Sequence, residues 1–467
     1  MAYALSKPGQ CMTSSGRPPA LLCFLGLLCL GLEAFGFIFH RKGQILPLVL
    51  VILSSAIPFA LAAYYVTRAK ILPHGSLTVI LLFGVLMRIA LVPLDPPYLS
   101  TDIYRYIWDA RVQASGVSPY DYVPADPNLR HLRDADIYQK INRKDYAHTI
   151  YPPAAQIAFF AISRFGESVL AMKAGIAVCD LTTIGILLIL LRTLNQPLER
   201  VILYAWHPLV VWEFGSAGHV DAIMILFIVT AFLFRVQNRP GLSGASLACA
   251  TLVKFLPILL IPALYKRWTL RMPAAFVATI GLLYLPCLLH SHSSVLGFLP
   301  EYASEEGFTG GQRFYLLDLC NHLLHFIRLH LTVPASSFVG LMLVTVAGIS
   351  VWAQCRKSNS WLHRGTSEYL LSGLVLSVVA SVLISSNYPW YYAWIIPFLC
   401  FVDFSPALLL TLAVPVFYRS ISEYLPLANF KFHSQVFLPF FGVFALWFYS
   451  LRKTVLQTPQ LAAVPEG

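Results

Sequence analysis

Apolar runs separated by short polar or basic stretches fill most of this 467-residue chain. Measured against the roughly 20 apolar residues an α-helix needs to cross a bilayer, the runs predict spans near 20–39, 45–67, 76–94, 152–165, 168–191, 200–216, 219–235, 242–265, 272–290, 334–354, 367–386, 390–402, 405–419 and 435–452. The fold class expected is all-α: one polytopic membrane domain over 1–467 with about 12–14 transmembrane helices. If the N-terminus lies inside, three crossings carry the polar segment 95–151 to the outer face. The clusters Arg68/Lys70, Lys266/Arg267/Arg271, Arg356/Lys357/Arg364 and Arg452/Lys453 then fall inside, as positive charge in membrane proteins does. A second outer loop is expected over 291–333. Arg192/Arg200 and Arg235/Arg239 break the rule, and the apolar runs between 200 and 265 are short and Pro-rich, which predicts re-entrant or broken helices there.

The segment 95–151 differs from everything around it, holding eight of the 22 acidic residues and seven Lys/Arg. Ser100 or Thr101 can cap a helix that starts at Asp102. Helical spacing then groups Asp102, Arg105, Tyr106 and Asp109 on one face and Tyr104, Trp108 and Arg111 on another. Such an amphipathic, aromatic-rich helix is expected to lie along the membrane surface. Gly116-Val-Ser-Pro119 ends it, and Tyr151-Pro152-Pro153 opens the next span.

Composition agrees with the pattern: 57% of residues are hydrophobic and 12% charged, against about 25% charged in soluble domains. The net charge of +11 is spread in short clusters between apolar runs, so it points to membrane topology rather than to nucleic acid. Nine cysteines form no C-x-x-C pair and mostly sit in apolar runs, where a thiol acts as a small hydrophobe. Lys7 and Arg17 precede the first apolar run and Arg41-Lys42 plus a second run follow it, a first transmembrane helix rather than a signal peptide.

Asp102 is the leading chemical candidate, because a carboxylate at the mouth of a membrane cavity can serve as general base on a hydroxyl. The plainer alternative has it capping the helix and pairing with Arg105. Asp95 and Asp109 come second, one suited to a turn before Pro-Pro and the other to pairing with Arg105 or Arg111. Arg105, Arg111 and Arg313 can hold an anionic leaving group through the planar guanidinium, or pair with loop carboxylates. Lys254 is a lone ammonium inside an apolar run, which requires a partner or a task such as facing phosphate. Glu213, His219 and Asp221 form a second polar cluster at membrane depth, open to a substrate contact, a metal site or a satisfied hydrogen-bond network. Tyr388 and Trp390 can stack on a sugar or anchor the interfacial belt. No nucleotide loop, esterase elbow or H-E-x-x-H is present, so an activated donor is expected to arrive through the membrane.

Several features in order resemble the GT-C superfamily of lipid-phosphate-sugar glycosyltransferases: Asp102 just after a span, the surface helix, Tyr151-Pro-Pro, the mid-span Asp180, Gly218-His-Val-Asp221 and Lys254-Phe-Leu-Pro257. The wording Thr101-Asp-Ile-Tyr-Arg-Tyr-Ile-Trp-Asp-Ala-Arg resembles bacterial polyprenol-phosphate-mannose-dependent mannosyltransferases, with the likeness running over about 80–270. Where many such relatives carry two adjacent acidic residues, this chain has Thr101-Asp102, which singles out Asp102. The resemblance implies a catalytic base at Asp102 and an inverting transfer of mannose from a polyprenyl-phosphate donor to a glycan or glycolipid hydroxyl. It also implies an outward-facing site in a bacterial cytoplasmic membrane. The expected binding set is Arg105, Asp109, Arg111, Tyr151, His219, Asp221, Lys254, Arg313, Tyr388 and Trp390. No metal or cofactor is called for, since fixed cations stand within reach of a monophosphate leaving group. A transporter or flippase of a lipid-linked sugar is the competing class, for which a matching second set of broken helices is missing.

Overall fold

The computed structural model describes residues 19–94, 99–266, 268–329, 331–355, 368–419 and 426–457, with backbone alone at 426–429 and 453–457. Asp95, Arg267 and the cluster Arg356/Lys357/Arg364 lie outside the described residues. The chain is 74% helical and, among the described residues, has no strand. Among the described residues, six helices are long and apolar enough to cross a membrane: Ala20–Arg41 (α1), Ile45–Arg68 (α2), Val169–Thr193 (α6), Arg271–His290 (α9), Ala335–Cys355 (α12) and Phe430–Arg452, the core of α15 (Pro426–Gln457). The protein is an all-α polytopic membrane protein. Shorter apolar helices accompany these six at Ser76–Leu91 (α3), Pro153–Ser163 (α5), Glu368–Ile384 (α13) and Ser405–Arg419, which begins with α14 (Ser405–Ala413). Between α3 and α5 runs Asp102–Ala114 (α4).

The expected spans at 200–216, 242–265 and 390–402 are broken helices, and proline is the physical reason. His207-Pro208 interrupts the first, which continues as a π-helical stretch over Val211–Ala217. Gly218 then turns left-handed (φ +69°), and a Cβ there would come within 2.9 Å of Ile103 and Lys173. Only glycine lets α4 approach so closely. Asp221–Val236 (α7) follows, then Pro240–Thr251 (α8), which stops short of Lys254. The carbonyl of Leu252, freed by the break, accepts from Ala154 and Ala155 N–H at 3.1 and 3.2 Å. Thus two unpaired donors of the α5 N-terminus meet the unpaired acceptor of α8. Pro389 and Pro397 open two short helical pieces, over Pro389–Ile395 and Ile396–Leu399. Residues 200–222 are buried throughout, so this stretch forms the centre of the bundle rather than a lipid-facing span.

α4 departs from the expectation of a surface helix. Ile103, Tyr104, Arg105, Tyr106, Ile107, Trp108, Asp109, Ala110 and Val112 are all buried. Tyr106 stacks on Phe159 of α5 (centroids 4.5 Å apart), and Trp108 packs on Tyr138. Aromatic and aliphatic side chains leave α4 on every side, which is the pattern of an enclosed helix. Its carboxylates and arginines therefore sit inside the protein, where their partners are fixed.

Candidate active site

α4 starts where the sequence places it, at Asp102, whose backbone N–H is held by the Ser100 hydroxyl at 3.2 Å. The Asp102 side chain is half-buried, and Asn142 Nδ2 donates to its Oδ1 at 3.1 Å. Burial raises the Asp102 carboxyl above its ordinary range; Lys254, the Asn142 hydrogen bond and Arg143 pull it partly back. A carboxylate with raised basicity and one fixed hydrogen bond is suited to taking a proton.

One turn along, Arg105 Nε bonds Asp109 Oδ1 at 2.7 Å and its Nη1 bonds the Ala147 carbonyl at 3.0 Å. Asp109 is held in turn by Thr149 (2.5 Å) and Gln156 (2.9 Å). The plainer alternative of an Asp102–Arg105 pair is thus not what forms. Arg105 is anchored by Asp109, and Asp102 is left to Asn142.

Lys254 emerges at the break after α8. Its ammonium is chelated by both Asp221 oxygens at 2.8 and 2.9 Å and lies 3.9 Å from the centroid of the Tyr391 ring. Asp221 stands in the first turn of α7, where the helix dipole favours a carboxylate. On the far side, Arg313 Nη1 bonds Glu306 at 2.8 Å and its Nη2 bonds Ser386 at 3.0 Å. His219, Trp390 and Tyr388 form a stack with successive centroid separations of 3.9 and 4.9 Å.

These groups surround one cavity of about 730 Å³. Asp102, Arg105, Tyr151, Lys254, Arg313, Tyr388 and Trp390, all singled out in the sequence, line it together with Asn142, Arg143 and His148. Apolar residues such as Leu256, Ile258, Leu259, Phe298, Leu299 and Phe308 complete the wall. Ile258 of this wall is exposed.

Four expected site residues lie elsewhere. Asp109 is behind Arg105, Asp221 behind Lys254, and His219 beneath Trp390; each touches a lining residue. Arg111 does not belong to the set at all: Asp134 (2.6 Å) and Glu167 (3.1 Å) take its guanidinium, away from the cavity. Nor does the 213–221 cluster converge as a metal site. Glu213 accepts from Tyr418 (2.6 Å), Asp221 holds Lys254, and no group of three ligating side chains occurs among the described residues.

The family model described as alpha-(1->6)-mannopyranosyltransferase, N-terminal domain (MptA_B family), matches residues 29–270. The chain belongs to this family. No curated protein and no solved structure matches it. The match covers Asp102, Arg143 and Lys254, whereas Arg313, Tyr388 and Trp390 of this membrane mannosyltransferase lie beyond it.

Three polar cavity groups of the mannosyltransferase escaped sequence reasoning. Asn142, Arg143 and His148 sit in the polar loop with no periodicity to mark them, and Arg143 has a left-handed backbone (φ +54°) that no local signal announces. A further omission was detectable. Arg88, inside the apolar run 76–94, is subject to the same rule that marked Lys254, and it pairs with Asp180 at 2.7 Å.

Proposed function

We propose that this cavity transfers mannose from a polyprenyl-phosphate donor to an acceptor hydroxyl, with Asp102 as general base. The observation that carries the reading is the placement of Asp102 in the same cavity as Lys254, Arg143 and Arg313, beside an apolar wall suited to a prenyl chain. Asp102 takes the proton of the acceptor O–H, the oxygen attacks the anomeric carbon, and the bond from that carbon to the phosphate oxygen breaks. The released polyprenyl phosphate gathers negative charge where fixed cations stand, which lowers the barrier because they need no reorganisation. Attack opposite the leaving group inverts the anomeric centre. An α-linked product, as the family description names, then requires a β-linked donor. Tyr388, the outer ring of the stack, and the edge of Trp390 border the space for the sugar, and His219 supports them from beneath. On this reading the donor headgroup and acceptor lie on the extracytoplasmic side, which the charge distribution of the loops supports, and in a bacterial cytoplasmic membrane, as the resemblance to bacterial mannosyltransferases implies.

The test is transfer from labelled polyprenyl-phosphate mannose by membranes carrying the wild type or Asp102→Asn at equal abundance. Label reaching a glycan or glycolipid with the wild type alone supports the scheme. Equal transfer by both proteins would remove Asp102 from the role of base. Movement of intact donor across sealed vesicles without transfer would instead indicate a flippase.

A further inference from the structure

Glu306 follows Leu299–Glu305 (α10), and Gly307 behind it takes a left-handed turn (φ +76°). Its side chain is 7% exposed and is shared among three donors rather than paired with one. Oε2 accepts from Arg313 Nη1 at 2.8 Å; Oε1 accepts from the Tyr388 hydroxyl at 2.8 Å and from Arg143 Nη2 at 3.4 Å. All three donors line the cavity. Arg313, itself 4% exposed, keeps a buried Nε–H with no hydrogen-bond partner, and Arg143 divides its guanidinium between Glu305 (2.8 Å) and Glu306. Two arginines thus face two glutamates, leaving no net charge at this end of the cavity.

We infer that Glu306 is an internal counter-anion that competes with the polyprenyl phosphate for Arg143, Arg313 and Tyr388, and so favours release of the product over retention of it. The inference rests on the proposed phosphate-bearing donor. Charge explains the asymmetry. The donor is a phosphodiester with one negative charge. Its product is a monoester whose second ionisation, with a pKa of about 6, gives it nearly two charges at neutral pH. A fixed carboxylate sharing the same donors repels the product more than the donor, so the step that creates the second charge also weakens the grip on the lipid. Arginines with no counter-anion would hold the monoester more tightly through bidentate charge-assisted bonds.

The experiment compares inhibition of the full-length protein by polyprenyl phosphate and by its monomethyl ester, which keeps a single charge. In the wild type, the monoester is expected to inhibit no more than about twofold better than the ester. In Glu306→Gln, which keeps the shape but not the charge, its Ki is expected to fall about tenfold, with a smaller fall in donor KM and a lower kcat, the signature of slowed release. A wild type that already prefers the monoester tenfold would overturn the inference without any variant. An unchanged or raised Ki in Glu306→Gln would also overturn it. The site reading fails separately: if neither lipid competes with donor in the wild type, or if Arg313→Gln leaves both constants unmoved, this cavity is not where phosphate binds.

Discussion

Two ion pairs in this protein are buried to different ends. Arg88 of α3 and Asp180 of α6 lie in the middle of the bundle, 1% and 0% exposed, with Nε and Oδ2 2.7 Å apart. Asp180 is completed by the Tyr204 hydroxyl (2.7 Å), and Arg88 by the carbonyls of Gly84 (3.0 Å) and Ala205. Glu33 of α1, also buried, adds a second carboxylate within electrostatic reach of the arginine. Lys254 and Asp221 form an equally tight pair, yet the lysine lines the cavity. Both pairs answer the cost of charge in a lipid-facing protein. The first does not line the cavity and serves to hold helices together. The second presents one partner to an incoming ligand. Burial of a charge therefore says little about its use until the space in front of it is known.

That contrast can be broken by experiment, beginning where the effect should be greatest. Asp102→Asn should lower mannose transfer by about 10²–10⁴-fold, the usual range for loss of a positioned base, while the detergent-solubilised protein melts as the wild type does. Arg88→Leu should do the reverse. It leaves Asp180 without its cation, a loss of about 3–5 kcal/mol for a broken buried pair, seen as a lower melting temperature and reduced membrane abundance. Activity per folded molecule should persist.

Lys254→Gln should sharpen the comparison through pH. Transfer falls on acidification as Asp102 is protonated. Because Lys254 draws the Asp102 carboxyl down, its loss should move that acidic limb to higher pH. Asn142→Ala should move it the same way by a smaller amount, since its hydrogen bond acts on Asp102 in the same sense. An unmoved limb in both variants would detach the pH profile from Asp102. The smallest effect is reserved for Arg111→Gln. Its pairs with Asp134 and Glu167 are partly exposed and worth about 0–1 kcal/mol, so transfer should stay within about threefold of wild type.

How far the sequence reaches depends on the distance over which each signal acts. The start of α4 at Asp102 follows from Ser100 and the polar-to-apolar change beside it, a matter of a few residues. The broken helices of 200–265 follow from Pro208, Gly218 and Pro257, again local. By contrast, Arg143 and Glu306 are 163 positions apart along the chain, and no spacing rule joins them. The burial of α4 was misjudged because Tyr104, Tyr106 and Trp108 suit a membrane interface as well as a protein interior. Only the packing of Phe159 on Tyr106 and of Tyr138 on Trp108 decides between the two. The place of Arg111 away from the cavity is illegible in the sequence for a similar reason. A guanidinium near a phosphate site and one near Asp134 look alike until the loop is folded.

Residues 29–270 contain the family-matched domain, and with it the proposed base Asp102, but the far wall of the cavity is built by Arg313, Tyr388 and Trp390 from the other half of the chain. The pocket is therefore stitched from two stretches of sequence, joined where Arg143 meets Glu306 and His219 stacks on Trp390. Substitutions beyond 270 can re-cut the shape offered to a sugar or a lipid while Asp102, the proposed base, and its helix stay untouched. A lineage of such enzymes can keep one reaction and exchange its clientele.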